Sequence, residues 1–312
     1  MVYIEDYAFY DCSGLTSVTI PDSVTTIGNY AFYNCSGLTN IEIPNSVTTI
    51  GRCAFWCCRE LTSIEIPNSV TSIGSQAFAG CDGLTSIEIP NSVTSISNAF
   101  SECHGLTNVV LSSSMTTIES LAFWDCTSLT SVQIPNSIIT IEHNAFWNCN
   151  NMTSVSIPNS VTTIDYGAFY GCSRLEDVEI PSSVTYIGND AFAGTPWYDN
   201  QEDGIVYAGR VAYRYKGIMP ANTTIIIREG TTSIGDSLFT DCTGLTSIEI
   251  PNSVTTIGSY AFSGCSSLSS IEIPEETTII GYFAFKNCTG LSTITIPEGV
   301  TIISSYTFQG CI

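Results

Sequence analysis

Phenylalanine recurs every 23 residues along the first part of this chain, at Phe9, Phe32, Phe55 and Phe78. Pro21, Pro44, Pro67 and Pro90 keep the same interval, and so do Cys12, Cys35, Cys58 and Cys81. About thirteen Phe-centred units follow one another over 312 residues, with one slip of a single residue at "SISNAFSEC". A unit this short cannot bury its own apolar face, so it must stack on copies of itself. The chain is therefore read as a repeat solenoid, one coil per unit, forming a single elongated, curved stack over residues 1–312.

The unit Gly37 to Cys58, "GLTNIEIPNSVTTIGRCAFWCC", shows how a coil is built. Leu38, Ile41 and Ile43 alternate with Glu42, the period of two that marks a strand with one buried face. Pro44 has no N–H for a ladder, so the strand ends there and "PNS" supplies a turn. Val47 to Ile50 forms a second extended piece. Gly51 permits a bend, and "AFWCC" has the length for a turn of helix or 3₁₀ that inserts Phe55. Stacked units pair their strands in parallel at about 4.8 Å.

Charge sets limits on partners. The chain carries 8 Lys+Arg against 29 Asp+Glu, a formal net charge of −21. Binding nucleic acid or anionic lipid requires a cationic surface, so this composition points away from both. No apolar run approaches the ~20 residues that cross a bilayer, and the N-terminal stretch lacks the basic and apolar regions of a secretion signal. Beginning and ending inside a repeat, the chain reads as a segment of something longer, with no membrane insertion of its own.

The repeat carries a resemblance. "LTSIEIPNSVTTIGSYAFSGCSSL", Leu245 to Leu268, resembles the 23-residue leucine-rich repeat of the BspA-like type, found in surface proteins of oral and gut bacteria and of some parasitic protists. The Pro, the Ile-Gly, the Ala-Phe and the Cys recur at fixed offsets over nearly the whole chain. This resemblance implies a right-handed leucine-rich-repeat coil, with a parallel β-sheet on the concave face and short strands and 3₁₀ or helical turns elsewhere. It also implies a cell-surface or secreted location, and adhesion or binding to protein or glycan in place of catalysis.

Twelve of the fourteen cysteines fall at one offset, and Thr195 takes that place in one unit. Neighbouring positions in a ladder come within disulfide range, but ladder side chains point the same way. A column of buried free thiols is the preferred reading. Cys53 and Cys57 lie outside the column. With Cys58 they make "CAFWCC", which lacks the His or second Cys pair of a zinc site, so no metal and no cofactor is assigned.

No catalytic constellation emerges. His104 and His143 belong to no nucleophile or metal motif. Glu42, Glu65 and Glu88 share one offset with Glu179, Glu249 and Glu272 and project from the strand face, where calcium could bridge neighbours but solvated positions are the preferred reading. Repulsion between such neighbours is under ~1 kcal/mol in water. A uniform ladder gives no carboxyl the raised pKa a glycosidase needs. At Val110, Gln133 and Ser156 the Glu is absent, leaving a less acidic middle.

Two features are candidate partner-binding surfaces beside that Glu face. The residue after the core Phe is aromatic at Tyr10, Tyr33 and Trp56 and again at Trp124, Trp147 and Tyr170. These rings either line an outer edge, where they could grip a sugar face or apolar side chain, or pack between coils. The second feature is an insertion at residues 196–221. There Val211, Tyr213 and Tyr215 alternate with Arg210, Ala212, Arg214 and Lys216, which reads as a β-hairpin with one apolar and one basic face. With Arg228, this region holds half of all Lys+Arg. Together with Trp197 and Tyr198, it is either a docking site for an acidic partner or a structural plug. "DNQEDG" lacks the alternating ligands of a calcium loop. The alternative to a binding module is a spacer that self-associates through its strand edges and ends.

Overall fold

The computed structural model describes residues 2–311. They divide into two compact units, the residues up to Pro181 with Asp190–Asp199, and Ser182–Asn189 with the residues from Asn200 onward. Both are parallel-strand β-solenoids with almost no helix, and about 13 turns are formed in all.

Most coils contribute to two ranks of short parallel strands, and the first rank is interrupted at the coil containing Val93 and Ile96, which forms no strand there. In the first unit one rank runs through Val2–Ile4, Val24–Ile27, Thr49–Ile50 and Ser72–Ile73, and continues at Thr117–Ile118, Thr140–Ile141 and Thr163–Ile164. The register advances by one repeat, Ile27 to Ile50 to Ile73. The other rank is the L-x-x-I-x-I segment, with Ser17–Val18 on Asn40–Ile41, Ser86–Glu88 on Asn108–Val110, and Ser154–Ser156 on Asp177–Glu179. In the second unit Ser233–Ile234, Thr256–Ile257, Ile279–Ile280 and Ile302–Ile303 form the equivalent first rank.

The core is a column of rings. Phe32, Phe55, Phe78, Phe100, Phe123, Phe146, Phe169 and Phe192 are fully buried, with successive centroids 5.2–6.0 Å apart. The widest gap, 6.0 Å between Phe100 and Phe123, follows the coil that is one residue short. Each ring removed from water is worth about 1.5–3 kcal/mol, so the column is the main apolar support of the stack.

In place of the helical turn suggested by "AFWCC", the segment is a run of hydrogen-bonded turns. The reason lies in two left-handed residues per coil, such as Tyr30 (φ 57°) with Asn34 (φ 54°) and Cys53 (φ 52°) with Cys57 (φ 56°). Two αL residues four apart interrupt any right-handed run. They also turn the N–H groups between them toward the next coil: Phe32 donates to Ala54 O at 2.7 Å and Asn34 to Trp56 O at 2.7 Å. The corner is thus tied between coils instead of within a helix.

Candidate binding surfaces

The strand face is continuous in register from Glu88 through Val110, Gln133 and Ser156 to Glu179. All five side chains are exposed, as are Glu42 and Glu65 earlier in the first unit and Glu249 and Glu272 in the second. Over the coils that lack the Glu the face forms a groove of about 1110 Å³, lined by Val110, Gln133, Ser156, Ser131, Asn136 and Asn159 and reaching Glu179; hollows of about 500 and 440 Å³ also lie on this face over Glu65 with Glu88 and over Glu42. The ring rim also changes: Pro135, Pro158 and Pro181 are half-buried, whereas Pro44, Pro67 and Pro90 are buried. The break noted in the acidic offset therefore coincides with a wider concavity than the ones over Glu42 or over Glu65 and Glu88, which periodicity alone does not reveal.

The aromatic offset is both packed and partly exposed. Tyr10 stacks on Tyr33 at 4.7 Å and Tyr33 on Trp56 at 4.5 Å; Trp147 stacks on Tyr170 at 3.9 Å. Tyr33, Trp56, Trp124, Trp147 and Tyr170 are all half-buried, while Ala79 and Ser101 at the same offset are buried. Tyr10, Tyr33 and Trp56, and likewise Trp147 and Tyr170, therefore spend ring faces on one another. A second stack, Tyr7 on Tyr30 at 4.9 Å, stands beside the first.

The insertion holds a hairpin. Gly204–Ala208 and Val211–Lys216 pair antiparallel, and Val211 and Ala212 then pair in parallel with Ser233 and Ile234. Val211, Ala212 and Tyr213 are all buried, so neither face of this part of the strand lies open. Its cations are engaged within the unit. Arg214 donates to the side-chain oxygen of Asn189, Lys216 to Gln201 O at 2.6 Å, and Arg228 to Gly209 O at 3.0 Å while lying 4.3 Å over the Tyr207 ring. Arg210 is exposed. Trp197 sits in a four-residue helix, Pro196–Asp199, with its ring 4.7 Å from Phe192 and its N–H on Leu175 O. In the first unit it continues the phenylalanine column. In the second unit Tyr215 plays the matching part at 6.0 Å from Phe239. Tyr198 is half-buried and bonded through its N–H to Thr195.

All fourteen cysteines are free thiols, and the column is largely buried. Burial pushes Cys35 up to about 11 and Cys103 up to about 12, and raises Cys81, Cys126 and Cys149 well above the ordinary thiol value. Among the described residues no group of three His, Cys, Asp or Glu is placed to hold a metal.

Two polar clusters have no signature in the sequence because their members come from different coils. His104 Nδ1 lies 2.6 Å from Asp82 and its Nε2 3.2 Å from Asp125, while Arg59 reaches Asp82 at 3.1 Å. Burial lowers the His104 pKa, but the hydrogen bonds to Asp82 and Asp125 outweigh it, and the net shift is upward. Ser120 Oγ lies 3.0 Å from His143 Nδ1 and donates to Glu142 at 2.7 Å. Here the carboxylate holds the hydroxyl and not the imidazole, the reverse of what orients a general base.

The BspA type leucine rich repeat region (6 copies) matches residues 2–99, 97–199 and 213–312. A leucine-rich repeat protein from Bacteroides ovatus is 31% identical, covering 100% of this chain and 80% of that one, with a TM-score of 0.53. A leucine rich cell surface protein from Faecalibacterium prausnitzii is 31% identical over 99% of this chain and 80% of that one, with a TM-score of 0.48. The leucine rich repeat protein of T. pallidum is 29% identical over 56% of this chain and 72% of that one, with a TM-score of 0.39. No curated protein matches. Among the described residues no helix is long and apolar enough to cross a membrane. Repeat proteins of this kind generally serve as protein-interaction scaffolds. With matches over most of its length and coils of the same repeat, the chain belongs to the BspA-type leucine-rich repeat family.

Proposed function

We propose that this chain is a non-enzymatic binding module, carried at the cell surface or secreted, that mediates adhesion to a protein or glycan. The observation that carries this reading is the groove in the first unit's strand face, where three successive coils replace an exposed Glu by Val110, Gln133 and Ser156. A uniform acidic ladder suits a solvated wall. A three-coil interruption over which the hollow widens to about 1110 Å³ suits a ligand. The surface location follows from the family resemblance and is part of the proposal.

The test is saturable binding of the purified chain to immobilised extracellular-matrix proteins and glycans, run beside native mass measurement over a range of concentrations. Saturable binding by a particle of constant mass supports the module. No binding anywhere on the panel, with mass rising as concentration rises, overturns it in favour of a self-associating spacer.

A further inference from the structure

We propose that the neutral stretch of the first unit's strand face is a site for an uncharged, linear oligosaccharide laid along the stacking direction. The inference rests on the binding-module reading and adds the ligand class to it.

The groove offers a particular mixture of groups. Gln133, Asn136 and Asn159 present carboxamides, and Ser131 and Ser156 present hydroxyls. Each of these groups can both donate and accept hydrogen bonds, as sugar hydroxyls do. Beside them lie apolar surfaces: Val110 is 48% exposed, and the rings of Pro135, Pro158 and Pro181 are partly uncovered. A pyranose is amphipathic in the same way, with C–H faces and a hydroxyl rim. One surface can therefore meet both sides of its chemistry.

Spacing narrows the class further. Because successive coils present equivalent offsets at about 4.8 Å, the ligating groups recur along one axis. A ligand that repeats itself at a comparable rise can make the same contact on each coil. The stretch from Val110 to Ser156 spans two strand intervals, roughly 10 Å, and so accommodates two or three sugar rings at its centre.

Other classes fit less well. Glu179 lines one end of the groove and Glu88 lies in register beyond the other, and the chain carries −21 overall, which disfavours uronates, sulfated glycans and other polyanions. Protein interfaces concentrate their energy in Trp, Tyr and Arg anchors seated in pockets. None of those residue types lines this groove.

The experiment is titration calorimetry of the whole chain with cellohexaose, laminarihexaose and chitohexaose, and with hexagalacturonate as the anionic counterpart. Three proteins are compared: wild type, Gln133→Ala with Asn136→Ala, and Trp147→Ala, each checked by thermal melting. The proposal expects saturable binding of at least one neutral hexasaccharide and at least tenfold weaker binding of the galacturonate. The double variant should lose about tenfold, the scale of one to two net hydrogen bonds, and Trp147→Ala should bind as wild type. No neutral hexasaccharide binding overturns the proposal, as does binding undiminished in the double variant. If Trp147→Ala alone abolishes binding, the sugar sits on the aromatic edge and the groove assignment falls. Retained binding to matrix proteins in any of these cases leaves the module reading intact and removes only the ligand class. If that matrix binding is itself lost in the double variant, the groove takes polypeptide.

Discussion

The thiol of Cys81 donates to the backbone carbonyl of Phe55 in the preceding coil at 3.2 Å, and the same oxygen accepts the N–H of Cys58 at 3.2 Å. Both lone pairs of a buried carbonyl are thereby used. The thiol contact recurs down the column, with Cys35 on Phe9, Cys58 on Phe32, Cys103 on Phe78, Cys126 on Phe100, Cys149 on Phe123, Cys172 on Phe146 and, in the second unit, Cys265 on Phe239 and Cys288 on Phe262. A recurring cysteine is thus a small apolar side chain that also carries a donor. Replacing Cys81 by Ala should cost about 1–2 kcal/mol, combining a modest lost hydrogen bond with a small cavity. Chemical denaturation measures it; no change would show that the thiol contributes only bulk.

The same burial makes the column inert and alkali-sensitive. In the native protein a thiol reagent at pH 8 should modify the exposed Cys12 well before Cys81 or Cys126. Because folding raises these pKa values, the stabilisation is complete below about pH 9. It is then lost as the pH climbs through 9 toward the folded values, about 12 for Cys103. In that window Cys103 alone steepens the decline by about 1.4 kcal/mol per pH unit. A melting temperature flat from pH 8 to 11 would contradict this.

His104 adds a milder dependence nearer neutrality. Its folded pKa is raised, so its bridge to Asp82 and Asp125 contributes fully below the unperturbed 6.5 and fades as the pH rises through the higher folded value. The imidazole is about half exposed, so solvent screening keeps the effect small. A His104→Gln variant should lose the pH dependence between 6 and 8, and an NMR titration of His104 should show a midpoint above 6.5. A midpoint below that value would mean burial outweighs the two carboxylates.

Gly51 is fixed by its neighbours. A Cβ there would stand 2.6 Å from the Gly28 carbonyl carbon and 2.6 Å from the Asn29 nitrogen, both backbone atoms of the preceding coil. Gly51→Ala should destabilise by about 1–3 kcal/mol, as overpacking does. Gly14, with nothing within 4 Å of its would-be Cβ, serves as the control, and Gly14→Ala should change stability little. Equal effects at both sites would show that the coil contact yields easily.

Trp197 distinguishes the two readings of the insertion. If it completes the phenylalanine column, Trp197→Ala should cost about 2–4 kcal/mol, at the lower part of the range for a large aromatic because the residue is half-buried. A variant as stable as wild type but altered in binding would instead assign the ring to a partner.

How much of this was legible differs by level. The alternation of Ile41 and Ile43 with Glu42 located a strand and its exposed face, and the interval between Phe32 and Phe55 located the core. Both are local patterns, and stacking repeats them without altering them. Glu88, Val110, Gln133, Ser156 and Glu179 were recognisable as one offset, yet the groove was not, since a concavity depends on how neighbouring coils sit. Of the two left-handed positions in each corner, the first gave no signal, because Tyr30, Cys53, Gln76 and Leu121 share no residue type, whereas the second in most coils holds Asp, Asn or Gly, as at Asp11, Asn34, Gly80, Asp125, Asn148 and Gly171, residue types that tolerate that conformation and mark the corner in the sequence.

The sequence alone therefore determined the repeat, its two strand ranks, the ring column and the sign of the surface charge. Each follows from one unit's residues and the need of identical units to bury the same face. Tertiary structure decided the rest. It set which carbonyl each thiol meets, how His104 reaches two coils, where the acidic face opens, and that Trp197 and Tyr215 each complete a column of rings. Those relations join atoms 20 or more residues apart, or depend on the local fit of one coil on another, and a 23-residue period fixes that two coils touch without fixing what their variable side chains do there.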